Sequence, residues 1–157
     1  MLCKKVEKDF LDILEEELIP AMGCTEPIAL AFAAAKAKEI LGEVPEKIIA
    51  KCSGNMIKNV RCVNIPNSGG MTGIEAACVL GALCGDVSRE MEVLEAVTPE
   101  GLLESAKFIE NGNCAVEYLE SPIPLHFIIR LEKGENVGIY YVQQVTAFLG
   151  VKICICC

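Results

Sequence analysis

Ten cysteines are spread along the chain, and one of them stands where a thiol can do chemistry. Cys24 lies in Gly23-Cys24-Thr25-Glu26-Pro27, immediately ahead of an alanine-rich segment. A cysteine just before a helix sits in the positive field of the helix dipole and near unpaired N–H groups, which favour the thiolate. A thiolate is the form that ligates metals or attacks electrophiles. The same residue would also serve as a buried structural thiol, and the local physics does not separate the two. A second candidate is Asn67-Ser68-Gly69-Gly70-Met71-Thr72-Gly73, ahead of a segment of small residues. Glycines let backbone N–H groups turn toward an anion, so Ser68, Gly69 and Gly70 are candidates to hold a substrate carboxylate. The plain alternative is a flexible turn with close helix packing at Gly73. A third is the polar stretch Ser53 to Asn59, where Asn55, Lys58 and Asn59 carry donors suited to a carboxylate. Solvated loop residues look the same in sequence.

The remaining chemistry-bearing residues invite plainer readings. His126, the single histidine, lies between Leu125 and Phe127 and reads as a half-exposed strand residue. Nothing near it suggests a nucleophile and base pair. The seven scattered cysteines from Cys3 to Cys114 offer no CxxC spacing, which argues against a zinc ribbon. Most read as small buried hydrophobes, Cys62, Cys78 and Cys84 among them. Cys154, Cys156 and Cys157 form a CxCC ending that carries soft-metal donors. Adjacent extended residues alternate faces, so three such thiolates do not readily converge on one metal.

The elements that must position these residues follow from periodicity. Val6, Phe10, Ile13, Leu14 and Leu18 repeat at helical spacing among acids, predicting an amphipathic helix that ends at Pro20. Thr25 is expected to cap the next helix, with Pro27 in its first turn and Gly42 closing it. Lys47 to Cys52 reads as a strand, Asn55 to Asn59 as a polar turn and Val60 to Ile65 as a second extended piece. A small-residue helix should run to about Leu83, a short one should cover Asp86 to Leu94, and a third should start at Thr98-Pro99-Glu100 and close at Asn111-Gly112. From there the period becomes two, and strands are expected at Ala115 to Leu119, Ile123 to Leu131 and Val137 to Val142. The fold class is therefore α+β, helices first with a small antiparallel sheet toward the C-terminus. The 157 residues read as a single domain, 1–157, without repeats or linkers.

Composition narrows the function classes. Apolar residues make up 52% of the chain, enough for a real core. The net charge of −8 and the absence of a basic stripe disfavour a nucleic-acid partner. No apolar run is long enough to cross a membrane, and no signal peptide is apparent. A cytoplasmic location and reduced cysteines are the expectation.

At Gly23 to Ala31 the sequence, GCTEPIALA, resembles the L-cysteine desulfidases and the alpha chain of iron–sulfur L-serine dehydratases. The resemblance extends through Ser53 to Asn59, similar to that family's Asn-x-x-Lys-Asn loop. It continues over Pro66 to Gly85, similar to its Pro-x-x-Gly loop and Gly-Ala-Leu-x-Gly helix end, and spans roughly Leu11 to Val145 in all. It implies a [4Fe–4S] cluster with Cys24 as a ligand or as a catalytic group beside it, an open iron acting as Lewis acid, and a small amino-acid substrate. The implied reaction is β-elimination of L-cysteine to sulfide, pyruvate and ammonia. Members of that family are more than twice this length, and their C-terminal half carries a Ser/Gly-rich substrate loop and further cluster cysteines. The ending from Gly150 to Cys157 does not match that continuation, so the expectation is a truncated piece that is inactive alone. The rival readings are a serine dehydratase-type ammonia-lyase, a non-catalytic folded fragment acting through partner or homo-oligomer contacts, and a metal or redox module using the CxCC ending.

Overall fold

A computed structural model describes residues 4–17 and 23–144. Helix α1 spans Lys4–Glu17 and α2 Thr25–Leu41; strand β1 (Lys47–Cys52) follows, then α3 (Gly54–Val60), α4 (Gly73–Cys84), a short 3-10 segment at Val87–Glu92 and α5 (Pro99–Glu110). Strands β2 (Cys114–Tyr118), β3 (Leu125–Lys133) and β4 (Asn136–Gln144) complete the described chain. The α+β class holds, but the sheet is mixed rather than antiparallel. Its order is β2-β1-β3-β4, with β1 parallel to β2 and antiparallel to β3. The parallel pair arises because the connection from β1 to β2 runs through three helices and returns the chain in the same direction. Strands β3 and β4 form a hairpin whose turn places Gly134 at φ +55°, a value that suits glycine at the first central position.

One face of the sheet forms the core. Ile48, Ala50 and Cys52 of β1, Phe127, Ile129 and Leu131 of β3, and Tyr140 and Val142 of β4 are buried at alternate positions. They pack against α2 and α4. Helix α2 buries Pro27, Ile28, Leu30 and five alanines, which is why its sequence shows little amphipathic contrast. Its C-terminus closes at Gly42, in the left-handed region at φ +78° with its N–H bonded to the Lys38 carbonyl at 2.8 Å. Helix α5 opens as expected, with the Thr98 hydroxyl accepting from the Gly101 N–H at 3.2 Å and Pro99 in the first turn.

Three local expectations are corrected. Asn55 to Asn59 is not a turn but lies in α3, which the buried Met56 and Val60 anchor to the core. Val60 to Ile65 is not a strand; the helix uses its first residue, and pairing is limited to a single bridge between Asn64 and Thr72. Within Asp86 to Leu94 the helix is only a 3-10 segment, Val87–Glu92, broken at Glu90, whose φ of +48° no regular helix accommodates. The stripe Val6, Phe10, Ile13 and Leu14 does lie on a helix, yet all four residues are exposed. Leu18 and Pro20 lie outside the described residues.

Two expected outcomes test this packing. A Cβ on Gly81 would overlap the Ala31 carbonyl oxygen, and one on Gly138 would overlap that of Ala37, so α2 is clasped closely by α4 on one side and β4 on the other. Gly81→Ala and Gly138→Ala should each lose about 1–3 kcal/mol of stability in urea denaturation, the usual cost of overpacking; unchanged midpoints would show that the contact yields. The second concerns His126. Its Nδ1 lies 2.7 Å from the Ser121 hydroxyl, its Nε2 is buried without a partner, and its ring edge meets Tyr141. Desolvation lowers its pKa, so the folded chain keeps the ring neutral where the unfolded chain would protonate it. This contribution to stability is complete above the ordinary histidine pKa of about 6.5 and is lost as pH falls below it. Between pH 7.5 and 5.5 the denaturation midpoint should therefore fall less in His126→Gln than in the parent chain.

Candidate functional site

The site begins where the chain enters α2. Gly23 takes φ +75°, and a Cβ there would lie 3.3 Å from the Pro66 ring, so the approach to Cys24 is pressed against the start of the glycine-rich loop. Cys24, extended at φ −72° and ψ 131°, is the N-cap residue of α2 and is exposed. Its thiol donates to Glu26 Oε2 at 3.1 Å. The Thr25 hydroxyl donates to the same oxygen at 3.3 Å, and Asn59 Nδ2 of α3 donates to Glu26 Oε1 at 3.3 Å. Thr25 therefore does not cap the helix; it is the first helical residue, and its hydroxyl serves the carboxylate instead.

This arrangement reverses the expected ionisation of Cys24. The hydrogen bond to Glu26 raises the thiol pKa, partial burial adds to the rise, and the backbone N–H groups at the helix start oppose it without prevailing. Glu26 moves the other way: the thiol hydrogen bond, the backbone N–H and the Asn59 amide all favour its carboxylate. The hydrogen bond to the Glu26 carboxylate, with partial burial, thus outweighs the backbone N–H groups of the helix start, and the resting pair is thiol and carboxylate rather than thiolate. Glu26 is the residue at the centre of this arrangement that the sequence does not single out. Its signal was present: it is the acid in the first turn of the helix that Cys24 opens, where a carboxylate gains most from free N–H groups.

The structure brings part of the remaining candidates to this point. Within α3, Asn55, Lys58 and Asn59 are three and four residues apart and share one exposed face. Asn59 is joined to Glu26 directly. In the glycine-rich loop, Pro66 meets Gly23, but the Ser68 hydroxyl is buried and donates to the Met71 carbonyl at 3.1 Å. Ser68 thus closes its own turn and does not present a hydroxyl to a ligand. Gly69 and Gly70 are exposed with φ of +67° and +97°, and Asn67, itself at φ +54°, donates to the carbonyls of Leu94 and Glu95. The loop is a pinned turn, closed inside by Ser68 and exposed at Asn67, at its two-glycine tip and at Thr72.

The other thiols divide by burial. Burial pushes Cys52 and Cys114 up to about 12, with the Glu75 carboxylate adding to the rise, and raises the fully buried Cys78 well above the usual thiol range. Cys84 is half-buried, raised by desolvation, with Ser105 as its neighbour. Cys62 corrects the expectation of a buried residue: it lies past the end of α3 and is exposed. Cys3, Cys154, Cys156 and Cys157 lie outside the described residues. Among the described residues no group of three or more cysteine, histidine or acidic side chains is arranged to hold a metal ion. Within that part of the chain Cys24 is the one thiol that combines exposure with a built hydrogen-bonding environment.

Comparison with known proteins places the chain beside longer ones. It is 44% identical over 144 residues to a UPF0597 protein of Lachnoclostridium phytofermentans, a match covering 92% of this chain and 34% of that protein. It is 49% identical over 113 residues to a UPF0597 protein of Finegoldia magna, covering 72% of this chain and 27% of the relative. A UPF0597 protein of Fusobacterium nucleatum is 46% identical over 132 residues, covering 84% and 31%. The chain spans about a third of the length of these curated relatives, and the name they carry states no activity. No family model matches the chain, and no solved structure matches it.

The Cys24–Glu26 pair makes a measurable statement. With its pKa raised, Cys24 should react slowly with iodoacetamide at pH 7.5, despite its exposure, and speed up only as pH rises past the ordinary thiol range. Glu26→Gln removes the charge that holds the proton on sulfur, so its Cys24 profile should shift to lower pH. Peptide mass spectrometry that resolves the Cys24 peptide gives the rates. Identical profiles in the two proteins would show that Glu26 does not govern the thiol.

Proposed function

We propose that this chain is one part of a longer β-eliminating amino-acid lyase of the L-cysteine desulfidase type, with Cys24 at the reacting end of its site. What supports the reading is one arrangement: an exposed thiol at the start of α2, hydrogen-bonded to a carboxylate that Asn59 of α3 holds by its other oxygen. A thiol that ligates a soft metal must first lose its proton, and that proton is held in a hydrogen bond to Glu26 on the solvent-exposed side of the helix start. Asn59 orients Glu26, while Asn55 and Lys58 extend the same face of α3 with donors suited to a substrate carboxylate.

A [4Fe–4S] cluster takes about three or four thiolates. The described residues offer Cys24 and no converging partners, so they do not by themselves fit a cluster. The proposal therefore assigns the missing ligands to a longer protein, in keeping with relatives of which this chain spans 34% or less. Under this reading L-cysteine loses its Cα proton and sulfide, and the aminoacrylate hydrolyses to pyruvate and ammonia.

The 157-residue chain, incubated anaerobically with iron and sulfide, should release neither sulfide nor pyruvate from L-cysteine. Cys24-dependent turnover in that chain would overturn the claim that its site is incomplete. In a full-length protein carrying this sequence, Cys24→Ser should cost more than the roughly 10–100-fold typical of losing an outer-shell partner. Comparing L-cysteine with L-serine as substrate separates desulfidase from dehydratase. A full-length protein that takes up iron and turns over neither amino acid would sink the lyase reading and leave a non-catalytic role.

A further inference from the structure

We draw no further inference here: the strongest candidate, the exposed apolar face of α1 formed by Val6, Phe10, Ile13 and Leu14, is bordered by acids whose charge disfavours pairing with a second copy, and nothing in the structure shows what covers it.

Discussion

The close approach of α2 to its neighbours is the constraint on which the other features rest. Helices normally pack about 8–10 Å apart, a spacing set by the side chains between them. Here alanines on α2 meet glycines on α4 and β4, with no room for a methyl group at Gly81 or Gly138. The backbone of α2 is therefore held from two sides, its buried alanines losing almost no side-chain entropy on packing. That clamp fixes the position of the helix N-terminus, and so of Cys24. A reactive group on a rigid element keeps its geometry better than one on a loop, and the loop residue Gly23 is in turn stopped by Pro66.

At that fixed end two electrostatic effects compete. The helix start favours negative charge, and both Cys24 and Glu26 lie within its reach. Only one of them takes the charge at neutral pH. A carboxylate ionises several pKa units before a thiol, so Glu26 takes the benefit of the N–H groups and of Asn59, and the hydrogen bond it accepts from the thiol, with partial burial, then holds the proton on sulfur. The thiol is stored in a protonated state beside its own acceptor. A metal ion or other positive centre arriving at sulfur would invert the balance, because it lowers the thiol pKa far more than one neighbouring carboxylate raises it.

Much of the fold was legible because its signals are local. The period-two strands after Asn113, the Thr98-Pro99 helix start and the Gly42 stop all appear where residue chemistry places them. The parallel pairing of β1 with β2 was not legible, since strand partners are chosen by a crossover more than sixty residues long rather than by anything in Lys47 to Cys52. Asn55 to Asn59 looks like a turn in sequence because three of its five residues are polar and so short a segment shows little periodicity. Its helicity comes from burying Met56 and Val60 against the core, a tertiary effect. At the site, the sequence pointed to Cys24 and Asn59 separately. Their meeting through Glu26 depends on how α3 docks beside α2, and the pattern of neither segment contains that.

The distribution of thiols bears on how a complete site would be assembled. Three of the remaining described cysteines, Cys52, Cys78 and Cys114, face the core side and are held protonated by burial. Recruiting Cys52 or Cys78 as a metal ligand would mean opening the packing between β1 and α4, at the cost of the apolar contacts that hold the sheet to its helices; Cys114 is only half-buried. Cys24 requires no such opening: it is exposed, its proton has an acceptor, and its backbone is fixed. Under the proposed reading, ligands that join Cys24 come from outside this unit, over the surface where α2 begins and α3 ends. On that surface Asn59 of α3 is bonded to Glu26, and Asn55 and Lys58 lie on the same exposed face of α3 as Asn59. Under the proposed lyase reading, the described body contributes one donor, Cys24, on a rigid helix start, with Glu26 and Asn59 bonded beside it.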